Sequence, residues 1–571
     1  MKLEIISNGY ERHAELFRKK IAERIAIEQG GMEFTLTVDE GIGPAESYCI
    51  KKSANGWCVI GADEAGLFFG IGKLLHGAKW STEEFWPTPT DGVIAPDCSL
   101  RAMYFAVHLH NWYANAPTTE LEQYVEELCL WGYNAIMLIV PVIDLYAFDE
   151  EKARVSVEKS RAIFRVAKRL GMKSGMFICP NQGLRGAPGE LDAVPNFDPM
   201  RRRGNAGRNI CIAKPGAWEY LATVWKGQLE QFAGIGLDYL VTWPYDEGGC
   251  GCDQCRPWGA KAYLDAVCRL RELAVSMYPK LQVVLSTWTF DVPEGQGEFE
   301  ALYKRLSADM NWVDYIMADA HEAYPSYPLE HTPVKPIINF PEISMWKLFP
   351  WGGYGANPLP DRFQGIWNSA KAILNGGAPY SEGMYEDISK IQFVGYYWQK
   401  DRDWRDILGE YIAYEVSGEV VEDALKMISL IERNHVLAGE GKEPDLAAAT
   451  ECGRLARAID ARLQEREKKA WRWRLLYIRA IIDEKRFAYY GEKGMRGAAH
   501  LNDIRNFAAD FVADDAEAVS LLRELRALYH SEPCNGRNQY TLPFVGEPTR
   551  LGNGKTYADI LRERAQARAK K

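Results

Sequence analysis

Residues 237–279 read LDYLVTWPYDEGGCGCDQCRPWGAKAYLDAVCRLRELAVSMYP. The run Leu237 to Trp243 is nearly continuous in apolar residues, Asp238 and Thr242 excepted, and of strand length, so it predicts a strand buried on both faces. From Gly259 onward the apolar residues fall at helical spacing, which predicts an amphipathic helix. Between the two lies a loop carrying Asp246, Glu247, paired glycines and Cys250, Cys252 and Cys255. This is one strand–loop–helix unit with its reactive side chains gathered where the strand ends.

The same unit recurs on either side. Strand candidates are LRAMYFAVH (100–108), NAIMLIVP (134–141), KSGMFICP (173–180), LDYLVTW (237–243), QVVLSTWTF (282–290), VDYIMADAH (313–321), KPIINFPE (335–342) and GAPYSE (377–382). Helical runs such as TTELEQYVEELCLWG and SVEKSRAIFRVAKRLG separate them. Eight such units predict an α/β fold in which a parallel sheet closes into a (β/α)8 TIM barrel. A doubly wound open sheet is the rival. It would place a glycine-rich nucleotide turn after its first strand, and LHNWYANAP is not one.

With 571 residues the chain is long enough for more than one core. LEIIS, FTLTVDE, YCIKKS and WCVIGA read as strands, with Asn55-Gly56 as a hairpin turn. YERHAELFRKKIAERIAIEQG reads as a helix closed by Gly30 and Gly31, and DEAGLFFGIGKLLHGA as a second helix. These predict an N-terminal α/β domain over residues 1–97, followed by the barrel over 98–398. Beyond it, runs such as VEDALKMISLIERNHVL and CGRLARAIDARLQEREKKAWRWRLLYIRAIIDEKRFAYYG predict an α-helical domain over 399–571. The apolar faces of that domain pack on the barrel or form a homodimer interface.

Composition narrows the partners. A formal charge of −10 argues against nucleic acid, which needs a basic face. The run Arg201, Arg202, Arg203 reads as a solvated or substrate-side loop. No stretch reaches membrane-spanning length, and the N-terminus lacks the pattern of a signal peptide. Twelve cysteines, mostly single within apolar runs, suit a reducing cytoplasmic compartment.

In a barrel of this kind the reacting groups stand at the carboxyl ends of the strands. There the sequence places His108 and His110, then Trp243, Asp246 and Glu247, then Trp288 and Asp291. Asp319 and His321, Glu342, and finally Tyr380 and Glu382 complete the set. Two neighbouring carboxyls push one pKa up, leaving a proton donor beside an anion. Glycoside hydrolysis needs that pairing. Asp246 and Glu247 alternatively cap the following helix. Trp243 and Trp288 stack on a sugar face or fill the barrel, and the three histidines bind hydroxyls or lie satisfied in the core. Tyr380 and Glu382 stand at the last strand end as further sugar-binding candidates, whereas Glu386 and Asp387 read as helix-start residues.

The order of domains, and the run YCIKKSANGWCVIGADEAGLFFGIGKLLHG in particular, resembles glycoside hydrolases of the α-glucuronidase and β-N-acetylhexosaminidase types. The α-glucuronidase resemblance implies Glu247 as general acid, with Asp319 and Glu342 activating water. The hexosaminidase resemblance implies that Asp246 orients a substrate acetamido group while Glu247 is the acid. The His-containing, Trp-Arg-ending signature of hexosaminidases after the second strand is absent here, where VPVIDLYAF stands. Either way the implied substrate is an oligosaccharide or glycoside cut from its end, with no cofactor. A metal-dependent lyase or isomerase using His321, Asp319 and Glu342, and a non-catalytic sugar-binding barrel, stay open.

Cys250, Cys252 and Cys255 resemble half of a structural zinc knuckle. No neighbouring cysteine or histidine supplies a fourth ligand. Reduced thiols that shape the loop are the competing reading, so no metal is assigned.

Overall fold

The apolar runs become eight parallel strands that pair in chain order and close on themselves. The computed structural model describes residues 1–107, 111–140, 142, 145–195, 208–245, 248–292, 294–319, 324–343, 351, 355–435, 445–492, 515–528 and 530. The barrel strands are β1 (Leu100–Phe105), β2 (Ala135–Ile139), β3 (Lys173–Ile178), β4 (Tyr239–Thr242), β5 (Gln282–Ser286), β6 (Tyr315–Asp319), β7 (Ile337–Phe340) and β8 (Leu374–Gly377). Each pairs with the next, and β8 pairs with β1 through Gly376↔Leu100 and Gly377↔Arg101. A doubly wound sheet is thereby excluded.

Alternation along each strand splits its side chains between two layers. Ala102, Tyr104, Met137, Phe177, Val241, Val284, Met317 and Ile338 fill the barrel interior. Their neighbours Met103, Phe105, Ile136, Leu138, Leu240 and Leu285 face outward into the layer shared with the helices. Burying both sets is what makes the strands apolar throughout.

The last strand starts earlier than its sequence suggests. GAPYSE contributes only its first residue to β8; Tyr380–Ser381 is a short extension that pairs with Tyr104 and Phe105. The strand body is the glycine-rich LNGG. Gly376 has φ 127°, and a Cβ there would sit 1.8 Å from the Leu100 carbonyl oxygen. Only glycine permits the seam to close, so the apolar signature is missing where it was sought.

At the N-terminus, strands Lys2–Ile6, Met32–Val38, Tyr48–Lys52 and Gly56–Gly61 form a sheet with Glu28–Gln29 at its edge. The first helix is Glu11–Ala22 and does not extend to Gly30. Gly30 and Gly31, at φ 95° and 86°, instead turn the chain from Glu28–Gln29 into Met32–Val38. The second helix, Glu64–His76, starts as expected, with Asp63 Oδ1 accepting from Gly66 N at 2.7 Å.

After the barrel come helices Trp404–Ile412, Val421–Arg433, Leu446–Arg462, Glu465–Lys468, Trp471–Glu492 and Ala516–Leu528. They pack on the barrel through buried charge. Arg472 donates to Asp387 at 2.8 Å and to Glu127 at 2.7 Å, and Trp351 Nε1 donates to Asp483 at 2.8 Å. Among the described residues no helix is long and apolar enough to cross a membrane.

Candidate active site

The root of the loop after β4 is held on every side. Trp258 Nε1 donates to the Pro244 carbonyl at 2.6 Å, and Gly259 N donates to Tyr245 Oη at 3.0 Å. Tyr245 Oη donates in turn to the buried carboxylate of Glu298. Asp246 and Glu247 themselves lie outside the described residues, as do His108, His110, His321 and Arg201, Arg202 and Arg203. The chain resumes at Gly248 and Gly249, where Asn181 from the end of β3 makes a reciprocal clamp. Gly249 N donates to Asn181 Oδ1 at 2.9 Å, and Asn181 Nδ2 donates to the carbonyls of Gly249 at 2.9 Å and Ile210 at 3.0 Å. The loop is therefore fastened immediately before and after the acidic pair.

Across the mouth lies a continuous aromatic surface. Trp243 and Trp288 stack with ring centroids 4.9 Å apart and an interplanar angle of 27°. Phe340 meets Trp243 at 5.2 Å, and Tyr380 meets Phe340 at 5.9 Å and Tyr104 at 5.5 Å. Trp243, Trp288 and Tyr380 are only half-buried, while Phe340 and Tyr104 beneath them are enclosed. They cap the barrel interior and present their upper surface outward, a floor suited to a pyranose face.

Two glutamates adjoin this floor through Tyr380. Glu342, directly after β7, forms a parallel bridge with Tyr380 and is 6% exposed. Asp319 ends β6 with its backbone opposite Phe340; its side chain lies outside the described residues. Glu382 is fully buried and accepts from Tyr380 Oη at 2.8 Å and from Tyr385 Oη at 3.4 Å. The structure thus gathers Trp243, Trp288, Glu342, Tyr380 and Glu382. Asp291 is a correction: its Oδ1 and Oδ2 accept from Glu298 N and Phe299 N at 2.9 and 3.1 Å. It caps the helix Glu298–Ala308 and is not part of the mouth.

Glu386 and Asp387 stand at the start of the helix Asp387–Trp398, as expected, and both are fully enclosed. Glu386 Oε1 accepts from the backbone N–H of Glu382 at 2.7 Å and of Gly383 at 3.2 Å, fixing the turn that aims Glu382. Beneath lies Lys390, whose Nζ donates to Tyr124 Oη at 2.7 Å, to Tyr113 Oη at 3.0 Å and to the Gly383 carbonyl. Tyr113 reaches Ser381 Oγ at 2.5 Å. Burial pulls the Lys390 ammonium down to about 8 despite Glu386 and Asp387 nearby, and burial pushes Glu386 up from the usual carboxylate range. Sequence reasoning missed Lys390, Tyr113 and Tyr124. The available signal was a lysine inside DISKIQFVGYYW, a helix buried on every side.

The cysteine loop closes a second cluster. Cys211, which follows the hairpin Gln182–Gly183 with Arg208–Asn209, joins Cys250, Cys252 and Cys255, so that all four sulfurs lie within 4.8 Å of one another. Cys211 Sγ is 3.7 Å from Cys252 Sγ and 4.0 Å from Cys255 Sγ. The Cys255 thiol donating to Cys250 draws Cys250 down, helped by the backbone amides of Cys252 and Val194, and the same contact drives Cys255 up.

A cavity of about 380 Å³ lies elsewhere, beside Ile94, Leu130, Trp131 and Gly132, which precede β1 and β2. It sits at the amino ends of the strands. The Glu410 carboxylate on its wall is held by Lys73 at 2.8 Å and Arg402 at 2.7 Å. The cavity lies at the end of the barrel opposite the strand-end carboxylates.

No family model matches the sequence, and no curated protein matches it. Solved structures do resemble it. A family GH115 4-O-methyl-α-glucuronidase with specificity for decorated arabinogalactans superposes with TM-score 0.57 at 12% identity, over 93% of this chain and 76% of that one. A GH138 enzyme targeting pectin rhamnogalacturonan II gives 0.53 at 13%, over 98% and 78%. A family 20 β-N-acetylglucosaminidase gives 0.50 at 16%, over 72% and 92%. At these identities the shared property is the fold.

Proposed function

We propose that this chain is an exo-acting glycoside hydrolase that binds a terminal sugar on the floor of Trp243, Trp288 and Tyr380. Glu247, carried between two anchored ends of the loop after β4, protonates the departing oxygen. The observation that carries the reading is this coincidence of an aromatic floor, buried carboxylates and a clamped acidic loop at one barrel mouth. Its fold likeness to several families of glycoside hydrolase supports it.

In the α-glucuronidase-like form, Asp319 and Glu342 activate water on the opposite face and configuration inverts. Glu342 beside the floor favours this form. Inversion wants carboxyls roughly 6.5–9.5 Å apart and retention about 5–5.5 Å. In the second form, the adjacent Asp246 and Glu247 serve a substrate-assisted, hexosaminidase-like reaction, Asp246 holding an acetamido group. The experiment is a panel of uronides, N-acetylhexosaminides and neutral hexosides, with the anomer of the first product read by proton NMR. Uronide cleavage with inversion supports the first form and N-acetylhexosaminide cleavage with retention the second. Turnover of none would refute both.

A further inference from the structure

We propose that Cys211, Cys250, Cys252 and Cys255 hold one zinc ion in a closed tetrahedral site that fastens the loop after β4 to the loop after β3.

The first support is geometric. Four sulfurs at about 2.3 Å from a zinc ion stand about 3.8 Å from one another at the corners of a tetrahedron. The Cys211–Cys252 and Cys211–Cys255 edges of 3.7 and 4.0 Å match that figure, and all four sulfurs fall inside 4.8 Å. Disulfides bring sulfurs together in pairs, whereas here Cys211 approaches Cys252 and Cys255 alike, and all four cysteines are free. A 4Fe–4S cluster gives each cysteine its own iron and a 2Fe–2S cluster gives each iron a pair, so in both some ligand sulfurs stand farther apart than the 4.8 Å that encloses all four here. One small, thiophilic ion remains, and four thiolates in a tetrahedron favour zinc.

The second support is the surroundings. Cys211, Cys250 and Cys255 are buried and Cys252 is half-buried, so no coordination position opens to solvent. That is the character of a structural rather than a catalytic zinc.

The third is position. Cys211 and Cys250 directly follow Ile210 and Gly249, whose carbonyls Asn181 already joins. Gly251 N donates to Val194 O at 2.7 Å, adding another tie between the same two loops. Zinc would lock this junction three residues after Glu247. The inference stands apart from the proposed hydrolysis, because a metal holding two loops has the same consequences whatever reaction occurs beside it.

The test is metal analysis of the full-length chain purified without chelator, by plasma mass spectrometry. About one zinc per chain is expected, with the content lost in Cys211→Ser and retained in Cys58→Ser, which lies outside the cluster. Because a cysteine variant sometimes fails to fold, the wild-type protein supplies a second measurement. Replacing its zinc with cobalt(II) should give intense visible d–d bands and thiolate-to-cobalt charge transfer in the near ultraviolet. Chelation should lower the thermal midpoint, and added zinc should restore it. Wild-type protein without stoichiometric zinc, iron in its place, full zinc retention in Cys211→Ser, or cobalt bands without thiolate charge transfer would each overturn the site.

Discussion

Asn181 and Gly249 are joined by two hydrogen bonds running in opposite senses, N–H to Oδ1 and Nδ2–H to carbonyl, each 2.9 Å long. Asn181 is fully buried, so no water replaces either bond. The pair holds the far end of the loop that carries Asp246 and Glu247.

Asn181→Ala leaves a backbone N–H and two carbonyls without their buried partner, and should cost about 3 kcal/mol of stability. Asn181→Asp should be no better at neutral pH, because it turns a donor facing two carbonyls into an acceptor. Urea unfolding checks both, and an Asn181→Asp protein as stable as wild type would contradict the clamp.

Trp288 stacks on Trp243 and keeps part of its surface open at the mouth. Losing an aromatic stacking partner worth about 0.5–1.5 kcal/mol weakens substrate binding roughly two- to thirteenfold. Steady-state kinetics of Trp288→Ala should show KM raised by that factor with kcat changed less. An unchanged KM would remove the residue from the sugar floor.

Lys390 gives a pH signature. Its folded-state pKa is drawn down to about 8, chiefly by burial, from an ordinary value of 10.5. Between those values the unfolded chain binds the proton that the folded chain has released, so stability rises with pH. The unfolding free energy of wild type relative to Lys390→Met should therefore grow between pH 8 and 10.5, by up to about 3 kcal/mol. Denaturant titrations at both ends of that window test it. A flat or falling difference would mean that the buried ammonium is not penalised.

Much of this molecule was legible in its sequence because the barrel strands are buried on both faces and their apolar runs have no competing explanation. The last strand was legible only at its end: Gly376 must lack a side chain where it meets Leu100, and glycine carries no hydrophobic signal. The strand-end aromatics were readable for the same reason as the strands, since each follows an apolar run directly. What sequence could not show is proximity across the chain. Cys211 stands 41 residues before Cys252, and Tyr113 lies 277 residues from Lys390. Likewise Asp291 looked like its strand-end neighbours until its bonds to the following helix were known.

Glu247 is the proposed proton donor to the leaving group. The most direct measurement compares Glu247→Gln with wild type on two glycosides of the same sugar, one with a poor and one with a good leaving group. A general acid contributes about 10²–10⁴-fold. A loss of that order is expected on the poor leaving group, and little loss where the aglycone departs unaided. Equal activity of variant and wild type on both substrates would contradict it.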